Sequence, residues 1–222
     1  MNEAQPWTTR AALTRGPDPR VIRSRRAALA AVRELIAEDG LTGVTHAAVA
    51  ARSGVGRTTL YRHWPDVAAL VHDATEQRMT RARTPPTGET RADLNSELNG
   101  LRELLDDPVS ERTMRAVLER APFDPAFAEL KEALYRSGSA GFRAILESAR
   151  SRGELRNDTD ITMVIDQLAG PLMYRRLFAG LSIDDRYITA IVDSALQLYT
   201  DTGAEADCLR DAGTSGPLPR FT

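Results

Sequence analysis

Apolar residues recur at steps of three and four along most of the chain, the spacing of one helix face. Ala28, Leu29, Val32, Leu35 and Ile36 form such a stripe. It predicts a helix over 20–39, with Gly40 as its stop. Thr45 is placed to cap a short second helix, Ser53-Gly54-Val55 breaks it, and a third helix opens near Gly56 and closes at Trp64. Asp66 caps a fourth, which carries Val67, Leu70, Val71 and Ala74 inward. Leu94, Leu98, Leu101 and Leu105 stripe a fifth, which Asp107-Pro108 ends. Met114, Val117 and Leu118 mark the next, and a long helix follows with Phe127, Leu130, Leu134, Phe142, Ile145 and Leu146, ending near Gly153. Asp158 to Asp160 offer caps for a helix running to Gly180. Asp184 caps a last one bearing Ile188, Ile191, Val192, Ala195, Leu196 and Tyr199. No segment alternates with period two, so the fold class expected is all-α.

Breaks in this pattern divide the chain. Residues 1–19 hold Pro6, Gly16, Pro17 and Pro19 without periodicity and read as a flexible arm containing Arg10 and Arg15. Residues 20–83 form a first domain with its connecting helix. Thr84-Pro85-Pro86-Thr87-Gly88 marks a joint, 84–203 a larger helical domain, and 204–222 a loose tail rich in Gly, Ser and Pro. A length of 222 residues accommodates both domains. With 42% apolar but only 5% aromatic residues, the core is built mainly from Ala, Leu, Val and Ile. The net charge of −2 conceals a split, because residues 1–65 carry +5 and the rest −7. That asymmetry points the N-terminal part toward nucleic acid. Cys208 is the only cysteine, no signal-peptide pattern is present, and no apolar run approaches membrane-spanning length. A cytoplasmic protein without membrane contact is the expectation.

The stretch Thr45 to Leu70 carries the chemistry. A short helix, a glycine turn and a second helix make a helix-turn-helix, whose second helix lies in the DNA major groove. Arg57 can fork onto a guanine, Thr58 and Thr59 can meet base edges, and Tyr61 and His63 can donate to phosphates. Arg20, Arg23, Arg25 and Arg26 could add backbone contacts. The spacing of Thr45, Val49-Ala50, Ser53-Gly54-Val55-Gly56, Thr59-Leu60-Tyr61 and His63-Trp64 resembles the N-terminal signature of the TetR family of transcriptional regulators. The resemblance covers roughly 21–71. The segment Asp166-Gln167-Leu168-Ala169-Gly170-Pro171-Leu172-Met173-Tyr174-Arg175-Arg176-Leu177 looks like the last helices of one large branch of that family. Two features depart from the family pattern. Gly56 stands where a capping Ser is usual, and Pro65-Asp66-Val67 replaces a segment that carries a Lys.

The resemblance implies an N-terminal three-helix DNA-binding domain and a larger C-terminal domain for ligand binding and dimerisation. It implies a ligand-responsive regulator of the repressor kind. Its partners would be double-stranded operator DNA, a small-molecule effector and a second copy of the chain. Arg57, Thr58 and Thr59 would read bases, while Thr45, Tyr61 and His63 would hold phosphates. Leu98, Leu101, Met114, Tyr135, Phe142, Met163, Gln167 and Tyr174 are candidate effector-lining residues. Ile188, Ile191, Val192 and Ala195 are candidates for the dimer interface. Two other classes compete. A small-molecule enzyme lacks support from any nucleophile–base pair, metal motif or glycine-rich fingerprint, so no catalytic residue, cofactor or metal is expected. An effector-free architectural DNA-binding protein would need less chain than the second domain supplies. His46 and His72 read as partly solvated helix residues, Pro171 predicts a local bend, and Arg175 needs a carbonyl or carboxylate partner in its apolar segment.

Overall fold

The computed structural model describes residues 18–82 and 86–200. Nine α-helices account for most of them: α1 (Pro19–Asp39), α2 (His46–Ser53), α3 (Arg57–His63), α4 (Val67–Ala82), α5 (Thr90–Asp106), α6 (Pro108–Arg120), α7 (Pro125–Ser151), α8 (Ile161–Met173) and α9 (Asp185–Tyr199). A 3₁₀ turn at Leu41–Gly43 follows α1, and α8 passes into a π-helical turn at Tyr174–Phe178. Among the described residues there is no strand, and no helix is long and apolar enough to cross a membrane. The expected arm and tail, with Arg10, Arg15 and Cys208, lie outside the described residues apart from Asp18 and Pro19. These two start α1 one residue before the sequence pattern does. The Asp18 carboxylate accepts from the Arg20 N–H at 2.8 Å, and Pro19 suits a first helical position, where no N–H is needed.

The chain forms two compact units that divide between Val71 and His72, inside α4. Sequence breaks place the joint later, at 84–88. The two compact units separate ahead of that break, within α4. Leu70 and Val71 are fully buried, whereas one to two turns on, Glu76 accepts from the Ser137 hydroxyl at 2.6 Å and Met79 sits against Gly138 of α7. The first unit centres on Leu29, Val32, Ile36, Val49, Leu60 and Trp64, all buried.

In the second unit α5, α7, α8 and α9 share one core, which holds Leu98, Phe142, Leu146, Leu168, Ile188, Val192 and Ala195 among others. Three residues expected at a dimer interface are therefore inside the single chain: Ile188, Val192 and Ala195 are 1%, 0% and 6% exposed. Ile191 packs half-buried against the core edge. The apolar stripe of α9 is used up in folding, and its outward face carries Thr189, Ala190, Asp193, Ser194 and Leu198 instead.

Two polar clusters tie the ends of these helices. The Thr90 hydroxyl donates to Glu154 at 2.5 Å and accepts from Arg152 at 2.8 Å, joining the start of α5 to the segment after α7. The buried Asp93 carboxylate accepts from the Thr87 N–H (2.7 Å), the Thr87 hydroxyl (2.8 Å) and the Gly88 N–H (2.9 Å). Gly88 is left-handed at φ 91°, a conformation glycine adopts without strain. Burial alone would push the Asp93 carboxyl up. The three donations, with Arg152 nearby, outweigh it and hold the pKa below the ordinary 3.8. The unfolded chain then takes up this proton first on acidification. The contribution is full above the ordinary value and is lost as pH falls through it toward the folded value. Asp93→Asn should cost about 1.5–3 kcal/mol at neutral pH and flatten this acid-side slope, as urea unfolding at several pH values would measure.

Candidate functional site

The first unit presents α3 on a supported frame. The Thr45 hydroxyl caps α2 by accepting from the Ala48 N–H at 3.1 Å, and it keeps its own proton to donate. Gly54, left-handed at φ 71°, closes α2 with its N–H on the Ala50 carbonyl at 3.0 Å. The Ser53 hydroxyl donates to Val49 O at 2.6 Å and accepts from the Val55 N–H at 3.2 Å, which fixes the turn. α3 starts at Gly56 without a side-chain cap, a loss of only a few tenths of a kcal/mol against Ser. Leu60 and Trp64, one turn apart and 0% and 2% exposed, anchor α3 inward. That orientation leaves Arg57, Thr58, Tyr61, Arg62 and His63 exposed, with Thr59 half-buried. Arg52 of α2 bridges to Glu38 at 2.6 Å and Glu34 at 3.3 Å of α1, and its hydrogen bond lowers the Glu38 pKa.

Of the α1 arginines, Arg25 lies over the Trp64 ring at 5.9 Å, and Arg20, Arg23 and Arg26 are exposed. Tyr61 is 56% exposed. Its ring stacks on His46, with centroids 4.0 Å apart and planes within 13°. His46 is not a solvated helix residue but is 7% exposed, with Nε2 2.7 Å from the Trp64 carbonyl. Neither histidine periodicity nor a motif marked it; burial comes from its place between α2 and the end of α3.

In the second unit α5, α6, α7 and α8 surround a cavity of about 610 Å³, with Met79 of α4 on its wall. That volume lies within the range of sites for drug-sized ligands. Leu104, Val117, Leu134, Phe142 and Ile165 supply buried apolar walls, and Glu97, Lys131, Glu132 and Asp166 supply charge. Four of the expected lining residues meet here: Leu101, Met114, Tyr135 and Phe142. The other four do not. Leu98 is fully buried in the core, and Met163 is 52% exposed. The Gln167 side chain accepts from the Tyr199 hydroxyl at 3.0 Å. Tyr174 is 62% exposed and stacks on Phe178 with centroids 5.1 Å apart. The cause is rotation about the helix axis. α8 turns Ile165, Ala169 and Met173 to the cavity, which leaves Met163, Gln167 and Tyr174 on another face.

Helix periodicity missed Met79, Leu104, Ile165, Ala169 and Met173. Glycines offered a signal. Gly100, Gly138 and Gly170 lie within three different helices and all line the cavity. A glycine inside a helix costs roughly 0.5–1 kcal/mol against alanine. At these three positions no side chain projects into the cavity from its wall.

The π-helical turn after Pro171 is clamped from α6. Arg115 donates to the Leu177 carbonyl, and to the Arg176 carbonyl at 3.3 Å. Arg175 finds the carbonyl partner that its apolar segment requires, Ser182 O at 2.7 Å, and covers the Tyr187 ring at 4.5 Å.

An exposed recognition helix on a helix-turn-helix frame, with an all-helical second unit built around an apolar cavity, defines a DNA-binding transcriptional regulator. The comparisons agree on both units. Residues 28–74 match the model of "Bacterial regulatory proteins, tetR family", and residues 84–195 match "Tetracyclin repressor-like, C-terminal domain". The uncharacterized HTH-type regulator YdeS of Bacillus subtilis is 28% identical over 188 residues, which covers 84% of this chain and 94% of that protein. The DNA-binding transcriptional repressor TetR of Mycobacteroides abscessus is 29% identical over 187 residues, 82% of this chain and 96% of that one. The crystal structure of the TetR family transcription regulator SCO0332 superposes with a TM-score of 0.65 at 31% identity, covering 79% of this chain and 97% of that one. The chain belongs to the TetR family of bacterial transcriptional regulators.

Proposed function

We propose that this regulator is a cytoplasmic, homodimeric repressor that leaves its operator when an amphipathic small molecule fills the cavity of the second unit. The observation that carries the effector part of this reading is the cavity itself, with glycines from three helices on its wall. DNA reading falls to Arg57, Thr58 and Thr59, and phosphate holding to Thr45, Tyr61 and His63. α4 carries the chain from the reading head to the cavity wall at Met79. Pairing uses large apolar residues left exposed on the second unit: Met163 of α8, Tyr174 and Phe178 of the π turn, Leu181 beyond it and Leu198 of α9. Such exposure in one chain is what a partner copy would cover.

The test begins with duplexes selected from a random pool by the full-length protein. Compounds that raise its melting temperature are then added to the complex. A bound effector should weaken duplex affinity by about 5–150-fold. A compound shown by calorimetry to occupy the cavity without changing duplex affinity would refute this model of control. Gly138→Leu gives a companion expectation, because a side chain there projects toward Met79 and into the cavity. The variant should keep duplex binding and lose the compound's effect, read by the same calorimetric and anisotropy titrations.

A further inference from the structure

We infer that His46 is a positioning residue for DNA binding. It orders Tyr61, and through it the phosphate contact at the far end of the recognition helix. The inference rests on the proposed role of Tyr61 as a phosphate contact. His46 is the first residue of α2, directly after the Thr45 cap, yet it is nearly buried. A carbonyl oxygen only accepts, so Nε2 must carry the proton that meets Trp64 O at 2.7 Å. Trp64 is the residue that closes α3, and its carbonyl belongs to the helix end that lacks intrahelical donors. One imidazole edge thus grips the end of α3. The imidazole face does something else: Tyr61 lies flat on it at 4.0 Å and 13°.

Tyr61 needs such a platform. Its neighbours along α3 either anchor inward or point to solvent, and more than half of its own surface is exposed. An exposed ring loses rotamer freedom when it binds, and that loss subtracts from affinity. Stacking on a ring that is itself held by a hydrogen bond removes most of the loss beforehand. The ring that carries the hydroxyl is then held before DNA arrives.

The test uses the full-length chain, a selected duplex and a scrambled duplex of equal length. Tyr61→Ala should weaken both by about tenfold. His46→Ala should weaken both about fivefold with the base preference unchanged, since phosphate contacts carry no sequence information. His46→Ala/Tyr61→Ala should bind no worse than Tyr61→Ala alone, because one residue acts through the other. Two further variants separate the ring from the donor and keep the test intact if His46→Ala does not fold. His46→Phe keeps a flat surface without the N–H and should bind more tightly than His46→Ala but less tightly than wild type; His46→Gln keeps a donor without the ring and should bind like His46→Ala. Additive losses in the double variant overturn the inference. So does good binding by His46→Gln together with weak binding by His46→Phe, which would assign His46 to the helix end alone. If Tyr61→Ala binds both duplexes as wild type does, the phosphate role of Tyr61 fails first, and the inference falls with it.

Discussion

Arg57→Ala should bind its selected duplex more weakly by roughly 1–3 kcal/mol per half-site and lose its preference at one base pair in each. Arg57 opens α3, where recognition-helix side chains reach base edges, and it is exposed there. A guanidinium can satisfy guanine O6 and N7 together, and no other base offers that pair of acceptors. A repeat selection with the variant reads the outcome directly. An unchanged consensus would remove Arg57 from base reading. Tyr61→Phe makes the contrast. It should weaken every sequence alike and leave the salt dependence nearly unchanged, since a neutral hydroxyl displaces no counterion. Anisotropy titrations at two salt concentrations would show a changed slope if that assignment is wrong.

Ile188→Asp and Phe178→Glu should fail in opposite ways. Ile188 is 1% exposed in the shared core, so an aspartate there is a buried carboxylate without a partner. The expected cost, above about 4 kcal/mol, exceeds much of a typical domain's stability, and the variant should be unfolded or insoluble. Phe178 is 80% exposed on the single chain. A glutamate there costs the monomer little, yet it places like charges at the proposed pairing face. Phe178→Glu should remain folded by circular dichroism, appear by light scattering at the mass of one chain, and lose most of its operator affinity. A folded Ile188→Asp monomer, or a dimeric Phe178→Glu, would move the interface back to the inner face of α9.

The helices were legible because each carries its own local signals. Thr45, Asp66, Asp160 and Asp184 cap from their predicted positions, Asp107 ends α5 as expected and also caps α6, and Gly54 ends α2 in the left-handed conformation its turn requires. The recognition helix was legible for the same reason. Leu60 and Trp64 fix its inner side by spacing alone, so Arg57 and Thr58 had to face out. The second unit was harder to read. Leu98 and Leu101 share one stripe, but only Leu101 borders the cavity; Val192 and Leu198 share one helix, but only Leu198 is exposed. Periodicity says that an apolar face exists. It cannot say whether that face meets a core, a void or a partner, because the answer depends on what the other helices bring. His46 makes the same point in the first unit. Its burial, its bond to Trp64 and its stack with Tyr61 depend on α2 crossing the end of α3, a contact between residues 15 and 18 positions apart. Sequence alone determined the helices, most of their ends and the family of the chain, but not the stop of α8 at Met173, where the sequence pattern runs on to Gly180. Only the tertiary structure decided which faces enclose the cavity and which remain for a partner, since those are properties of helix packing rather than of any one helix.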